Sequence, residues 1–287
     1  MWWFLTLLAL ALVGWGWLSA RRILYPERRT IPAPVPLPAH QSTVLTAADG
    51  AAFEAWRLTA ERPRARILLF HGYYANRYQV LDIAEGLRRR GYEAVLMELR
   101  GHGQRPGPCT LGVKETADAG TVLRWARSLD GTISLPVGAL GFSMGAAVAC
   151  QAAAAHQDIR AVVVDSIYSR FFPVLQRSIW RRYRLPAIPW AWLSWWGVQL
   201  ARGRRLAARD PAALAPRLRQ PLLAIQGGED RRVVPLLGRE CYQRWAGPKE
   251  RWFEPKVAHV LMFASHPTEY CDRVAGFFDR VFAGGAP

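Results

Sequence analysis

The sequence feature that most constrains the fold is the pentapeptide GFSMG, from Gly141 to Gly145. The apolar run Val137 to Leu140 leads directly into it, and an alanine-rich run begins at Ala146. A G-x-S-x-G motif between a buried strand and a helix is typical of a sharp turn that exposes its serine at the edge of a sheet. The two glycines leave room for the strand and the helix to pass close together. We therefore predict that Ser143 is a nucleophile at the start of a helix.

Short apolar runs alternate with helical stretches through most of the chain. The predicted strands are residues 42–46, 52–58, 67–70, 94–97, 137–140, 161–164, 222–225 and 251–253. Asp49-Gly50 is a favoured hairpin turn between the first two. Alternation of the later strands with helices predicts right-handed βαβ units. The predicted fold class is therefore α/β, with a mostly parallel, eight-stranded sheet flanked by helices.

A long insertion interrupts this alternation at residues 169–206. The segment contains five tryptophans and eight arginines but no acidic residue. An insertion of this length in a compact domain usually has a function. We interpret it as a helical cap over the carboxyl edge of the sheet. Its arginines either face anionic lipid or are simply solvated on a cap that packs on its own domain.

A serine nucleophile needs a base, and the base needs a carboxylate that orients it. Asp230 follows the strand at 222–225, and His259 follows the strand at 251–253. The order Ser143, Asp230, His259 is the order that α/β-hydrolases use. We predict that these three residues form the catalytic site.

A tetrahedral intermediate also needs two N–H donors for its oxyanion. The strand at 67–70 ends in His71, Gly72 and Tyr73. We predict that the backbone N–H groups of Tyr73 and Met144 form the oxyanion hole, supported by the loop of His71 and Gly72.

Other residues compete for these roles. Asp165, which ends the strand at 161–164, is an alternative acid, and Glu229 is adjacent to Asp230. His266 is an alternative base. His71 and His102 lie in glycine-containing loops near the site, where a structural role is the main interpretation.

Together these motifs make the chain similar to the α/β-hydrolase superfamily, within it to the serine aminopeptidase-like and acyl-hydrolase groups. The motifs that carry the resemblance are His71-Gly72, Arg100-Gly101-His102-Gly103, GFSMG, Gly227 to Asp230, and His259. The resemblance covers residues 42–283, interrupted by the cap. It implies a serine-dependent reaction without a metal or organic cofactor. Because this fold hosts many chemistries, it does not specify the substrate.

Residues 2–20 contain no charged residue, and Arg21, Arg22, Arg28 and Arg29 follow soon after. A helix of this length spans roughly 28 Å, close to the bilayer core of about 30 Å. We predict a single-pass anchor at 2–20 rather than a cleaved signal peptide, because no basic residue precedes the apolar run. The positive charge on its carboxyl side places the following domain in the cytoplasm.

Four prolines at alternate positions follow the anchor and predict a stiff, extended spacer. The predicted organisation is therefore an anchor at 2–20, a linker at 21–40 and a hydrolase domain at 41–287. The formal net charge of +16 favours an anionic partner, and membrane lipids are the expected one. No nucleic-acid-binding motif is present, so no nucleic-acid partner is expected. The cysteines form no CxxC pair, so no metal site is expected.

The expected reaction is hydrolysis of an ester or thioester in a lipid-like or acylated substrate, through an acyl-enzyme. The alternatives are a serine peptidase, an acyltransferase, and a catalytically silent scaffold that binds a membrane or a partner. A complete Ser-His-Asp set in the right order argues against the silent scaffold. The sequence does not specify the oligomeric state.

Overall fold

The computed structural model describes residues 2–28, 31–129, 134–202 and 206–284. Small parts of the predicted linker (29–30), cap (203–205) and hydrolase domain (130–133 and 285–287) lie outside the described residues. The strands are β1 (Gln41–Thr46), β2 (Ala52–Leu58), β3 (Ala65–Phe70), β4 (Tyr92–Met97), β5 (Val137–Phe142), β6 (Ile159–Asp165), β7 (Leu222–Gly227) and β8 (Lys249–Glu254). The α-helices are α1 (Trp2–Leu24), α2 (Leu81–Arg88), α3 (Glu115–Ser128), α4 (Met144–Ala155), α5 (Phe171–Tyr183), α6 (Trp192–Arg202), α7 (Pro211–Leu214), α8 (Pro235–Arg244), α9 (Met262–Ser265) and α10 (Pro267–Phe282). Short 3₁₀ helices lie at Arg77–Val80, Leu206–Arg209 and Ala215–Arg217, and a π turn at Ala187–Ala191.

The strands form one eight-stranded sheet in the order β1-β2-β4-β3-β5-β6-β7-β8. β1 pairs antiparallel with β2, and β2 pairs antiparallel with β4. All the other neighbouring pairs are parallel. The predicted mostly parallel sheet is therefore confirmed. The carboxyl ends of β5 to β8 lie side by side at one edge, where loops from different strands meet.

Helices cover both faces of the sheet, so the central strands are buried on both sides. On β3, Leu68 and Phe70 belong to one hydrophobic core, whereas Ile67 and Leu69 belong to the core on the opposite face. Every residue of β3, β4, β5 and β7 is buried. This explains why the middle of each of these strands is mainly apolar and does not alternate with polar residues.

Between β6 and β7 the chain forms α5 and α6, joined through the π turn. Aromatic side chains hold these helices together, with the rings of Phe172 and Trp192 centred 4.8 Å apart. Trp195 packs against both Phe171 and Phe172. Asp210 Oδ1 accepts a hydrogen bond from the Phe171 N–H at 3.0 Å, which fixes the start of α5 on the domain.

The N-terminal helix α1 continues to Leu24, four residues beyond the predicted end of the anchor. Its first ten described residues are exposed, but Gly16, Ala20 and Leu24 are buried. Ala20 and Leu24 join the hydrophobic core that contains Phe70 and Met144. The last two turns of α1 are therefore packed into the hydrolase domain.

Candidate active site

Ser143 lies on a strained turn between β5 and α4. Its backbone has φ 52° and ψ −111°, a conformation that non-glycine residues rarely adopt. The Ser143 N–H donates to the Asp165 carbonyl at 2.8 Å, so the turn is tied to the end of the neighbouring strand β6. This geometry lifts the serine side chain out of the sheet at its carboxyl edge.

Gly145 is required by the close approach of α4 to the end of β3. A Cβ atom at this position would lie 2.2 Å from the Phe70 carbonyl oxygen and 2.4 Å from that of His71. Both atoms belong to backbone that cannot move without disturbing β3. The two glycines of the motif thus bring the nucleophile turn against the His71 loop.

Gly145→Ala is expected to lower the free energy of unfolding by about 3 kcal/mol, because overpacking against backbone is costly. Gly276→Ala is the matched control. Gly276 lies in α10, and its nearest neighbour would be an arginine nitrogen at 3.7 Å, so there alanine should be neutral or slightly stabilising. Chemical denaturation in detergent measures both variants. A Gly145→Ala protein as stable as the wild type would contradict this close approach.

The structure brings together the three predicted catalytic residues. His259 Nε2 lies 3.0 Å from Ser143 Oγ, and His259 Nδ1 lies 2.6 Å from Asp230 Oδ2. Both distances are within hydrogen-bond range. If Nδ1–H donates to the Asp230 carboxylate, Nε2 is free to accept the serine proton. Ser143 and His259 are half-buried and Asp230 is buried, so the hydroxyl stays accessible.

Asp230 is held by its own loop as well as by the histidine. Its Oδ1 accepts hydrogen bonds from the Arg232 N–H at 2.9 Å and the Val233 N–H at 2.8 Å. Its Oδ2, which faces His259, also accepts from Gln226 Nε2 at 3.3 Å. The two oxygens therefore have different donors, which fixes the rotation of the carboxylate.

The alternative residues lie elsewhere. Asp165 Oδ1 accepts from the Ser166 hydroxyl at 2.8 Å, and burial raises the pKa of this carboxyl to about 7. Ser166 Oγ in turn accepts from the Val260 N–H, so Asp165 supports the chain next to His259. Glu229 is exposed, and His266 lies 3.8 Å from a carboxylate oxygen of Glu269 in the turn before α10.

His71 is a buried, neutral residue that shapes its loop. Its Nε2 accepts from the Leu99 N–H at 3.0 Å, so Nδ1 carries the proton and donates to the Gly72 carbonyl at 2.8 Å. Burial lowers the pKa of His71 to about 3. The Gly72 N–H donates to Gln79 Oε1 at 2.7 Å and is therefore occupied. Burial also lowers the pKa of His102, to about 4.

The two predicted oxyanion donors flank the serine turn. Met144 is the first residue of α4, so its N–H has no acceptor within the helix. Tyr73 follows Gly72, where a Cβ atom would lie 3.5 Å from the carbonyl oxygen of Phe142. The loop that carries the Tyr73 N–H is thus adjacent to the residue that precedes the nucleophile.

The Tyr73 side chain joins this loop to the N-terminal helix. Its hydroxyl donates to the Ile23 carbonyl at 2.7 Å, and burial raises its pKa well above the usual value, so it stays protonated. The next carbonyl, that of Leu24, accepts from the Cys109 N–H at 2.7 Å. Cys109 Sγ lies 3.6 Å from the sulfur of Met144. The loops of Tyr73 and Cys109 therefore donate hydrogen bonds to the last carbonyls of α1, which have no acceptor role within the helix itself.

Tyr73→Phe is expected to lower stability by about 1 kcal/mol, because the Ile23 carbonyl loses its donor. For a domain of this size, the midpoint of thermal unfolding should fall by about 2–4 °C. Tyr25→Phe, which changes an exposed tyrosine beyond the same helix, is the control and should leave the midpoint unchanged. Thermal unfolding in detergent measures both. An unchanged midpoint for Tyr73→Phe would show that the hydroxyl contributes nothing.

The RGHG motif builds a buried ionic network that the sequence pattern did not reveal. Arg100 pairs with Asp118 at 2.6 Å and with Asp49 at 2.7 Å. Arg105 also pairs with Asp118, at 2.8 Å. The network fixes the loop of His102, which packs on the Tyr73 ring. Within the described ranges, no group of three or more His, Cys, Asp or Glu residues could hold a metal ion.

Comparison with known proteins finds sequences and structures that resemble this chain in its fold. Residues 65–204 match the family model described as alpha/beta hydrolase fold. The Bacillus subtilis relative "Uncharacterized protein YqkD" is 25% identical over 218 residues, covering 75% of this chain and 71% of that protein. The Mycobacterium tuberculosis relative "Uncharacterized protein Rv2307c" is 26% identical over 260 residues, covering 88% and 85%.

Two solved structures show the same fold at low identity. The esterase Pf2001 of Pyrococcus furiosus has a TM-score of 0.73 and 22% identity, covering 89% of this chain and all of that one (100%). An acylaminoacyl peptidase of Pyrococcus horikoshii has a TM-score of 0.66 and 17% identity, covering 85% of this chain and 41% of that one. Both likenesses concern the arrangement of the sheet and its helices.

Proposed function

Because this chain has the α/β-hydrolase fold, we propose that it is a membrane-anchored serine hydrolase that cleaves an ester or thioester of a lipid-like or acylated substrate. The observation that carries the proposal is the continuous contact from Ser143 Oγ to His259 Nε2 at 3.0 Å and from His259 Nδ1 to Asp230 Oδ2 at 2.6 Å. A serine becomes a nucleophile when an imidazole can accept its hydroxyl proton and a carboxylate orients that imidazole.

In the proposed reaction, Ser143 Oγ forms a bond to the substrate carbonyl carbon while His259 Nε2 takes the hydroxyl proton. Asp230 stabilises the resulting imidazolium through its hydrogen bond to Nδ1. Collapse of the tetrahedral intermediate breaks the bond to the alcohol or thiol, which leaves with the proton from Nε2. Water then attacks the acyl-Ser143 ester, His259 accepts its proton, and the acid is released as the serine regains its proton.

The oxyanion of each tetrahedral intermediate is proposed to lie between the N–H groups of Met144 and Tyr73. The position of Met144 at the start of α4 supports this, since the helix dipole also favours negative charge there. The occupied N–H of Gly72 leaves Tyr73 as the donor from the preceding loop. The buried, neutral His71 is proposed to hold this loop and to take no part in proton transfer.

The membrane part of the proposal rests on α1, the one described helix that is long and apolar enough to cross a bilayer. A signal sequence would pass the same test, but the end of α1 is built into the domain. Removal at the predicted boundary after Ala20 would take away a buried core residue and separate Ile23 and Leu24 from their helix. This packing supports a retained anchor over a cleaved segment.

The test is a fluorophosphonate labelling experiment on the full chain in detergent, with the modified peptide identified by mass spectrometry. We expect modification of Ser143 in the wild type and strongly reduced modification in His259→Ala. Ester, acyl thioester and aminoacyl amide substrates are then compared at equal concentration. Faster turnover of the amide would replace the esterase by a peptidase. A folded wild type that is not labelled would contradict the serine mechanism.

A further inference from the structure

The cap helix α6 runs parallel to the second half of α1 and in direct contact with it. Trp15 Nε1 donates to the Trp190 carbonyl at 3.1 Å and lies 3.2 Å from Ser194 Oγ. One turn further, a Cβ atom at Gly197 would lie 2.4 Å from the Gly16 carbonyl oxygen. Small residues at such a crossing let two helix backbones approach closely, as in helix pairs within membranes.

This contact sets the level of α6 relative to the anchor. If the apolar segment ends at Ala20, Trp15 lies five residues earlier, about 8 Å inside the hydrocarbon layer. Trp190 and Ser194 are beside Trp15, and Gly197 is beside Ala20. The beginning of α6 therefore lies within the hydrocarbon layer of one leaflet, and its end lies at the level of the lipid headgroups.

The face of α6 that points away from the domain is apolar. Trp192, Trp196 and Leu200 follow each other at intervals of four residues and are 43, 48 and 70% exposed. Residues spaced in this way lie on one side of a helix. A groove of about 1280 Å³ separates this side from α1 and is lined by apolar residues of both helices, including Val13 and Trp17.

Arginines collect where the two helices end. Arg21 and Arg22 of α1 and Arg202 of α6 line the same end of the groove. Arg22 Nη1 donates to the Tyr183 hydroxyl at 2.9 Å, which brings the end of α5 close to the end of α1. Arg181, Arg182 and Arg184 surround Tyr183 in the chain, and the cap sequence contains no acidic residue. Six arginines therefore lie at or near the carboxyl ends of α1, α5 and α6, and one of them, Arg181, also donates to the Arg231 carbonyl.

We propose that α6 is inserted into the same leaflet as the second half of α1, with Trp192 and Trp196 among acyl chains, and with Leu200 and the arginines at the level of anionic phospholipid headgroups. Tryptophan and arginine are the residues that favour the apolar boundary and the headgroups, respectively. The cap then rests in the bilayer as an interfacial helix. This inference rests on the proposed membrane-spanning role of α1.

The test uses an environment-sensitive fluorophore on single introduced cysteines of the full chain in nanodiscs. The native cysteines Cys109, Cys150, Cys241 and Cys271 are buried, which favours selective labelling. Leu200→Cys reports on α6, and Leu236→Cys is the matched control, since both leucines are 70% exposed. Leu10→Cys reports on α1.

We expect the label at position 200 to have blue-shifted emission and to be quenched by lipids that carry a nitroxide near the headgroup. The label at position 236 should emit as in water and remain unquenched. Water-like emission at position 200 with a quenched label at position 10 would overturn the insertion of α6 while leaving the anchor intact. Water-like emission at both positions would instead contradict the proposed anchor.

A second comparison tests the arginines. Nanodiscs of phosphatidylcholine alone are compared with nanodiscs that also contain phosphatidylglycerol. The blue shift at position 200 should be larger with the anionic lipid, and the double variant Arg181→Gln/Arg182→Gln should remove most of this difference. Arg124→Gln, on the exposed side of α3, is the control. Emission that does not depend on phosphatidylglycerol would overturn the proposed headgroup contact.

Discussion

Ser143→Ala is expected to lower kcat for ester hydrolysis by about 10⁶-fold, to the residual rate that binding and the oxyanion donors supply. The reason is that the only hydroxyl within reach of His259 Nε2 in the described site is removed, so no acyl-enzyme forms. The side chain is half-buried on a turn that its backbone already fixes, so we expect little change in folding. Steady-state hydrolysis of a soluble nitrophenyl ester in detergent measures the effect.

Ser128→Ala is the control for this variant, since Ser128 Oγ is exposed at the end of α3 and donates to the Trp125 carbonyl. Its activity should equal that of the wild type. A Ser143→Ala protein that keeps more than a few per cent of the activity would show that another residue is the nucleophile. If Ser143→Ala loses both its activity and its folded state, the fluorophosphonate labelling of the wild type identifies the nucleophile instead.

Asp230→Asn is expected to lower kcat by about 10⁴-fold, because the new asparagine amide turns its NH₂ group towards His259. Arg232 and Val233 donate N–H groups to Oδ1, so the amide oxygen of asparagine must occupy that position. The NH₂ group then faces His259 Nδ1, which has to become an acceptor. The proton moves to Nε2, and the imidazole can no longer accept the hydrogen of Ser143.

Asp165→Asn separates this effect from the loss of any nearby carboxylate. Asp165 contacts Ser166 and the chain beside His259 but not the imidazole nitrogens, so we expect less than about a tenfold loss of kcat. The rates of both variants are measured with the same ester. A larger loss for Asp165→Asn than for Asp230→Asn would assign the orienting acid to Asp165.

The sheet could be predicted because its central strands are buried on both faces and therefore contain short apolar runs, such as residues 67–70 of β3 and 222–225 of β7. The serine turn could be predicted because a Cβ atom at Gly141 or Gly145 would lie 2.2 Å from a backbone carbonyl oxygen, so only glycine fits at these two positions. The contact of Asp230 with His259 follows from chain order and the shared carboxyl edge of β7 and β8.

Two features could not be predicted from local pattern. The pairing of Arg100 with Asp49 and Asp118 joins two loops and the helix α3, and isolated charges give no sign of their partners. The packing of α1 was also hidden, because the helix is apolar on all sides. No stripe in its sequence distinguishes the side of Gly16 that contacts α6 from the side that faces away.

The hydrogen bonds at the end of α1 impose an order on the biosynthesis of this protein. Ile23 and Leu24 leave the ribosome well before their donors, Tyr73 and Cys109. An anchor delivered to a bilayer at this stage has its final carbonyls at the surface, without protein partners, until both loops have been synthesised. If α1 is the anchor proposed above and is delivered in this way, the neighbourhood of Ser143 is completed while the nascent domain is attached to the membrane. A chain truncated to begin at Gln41 would lack α1. The loops of Tyr73 and Cys109 would then have to fold without the helix against which they pack.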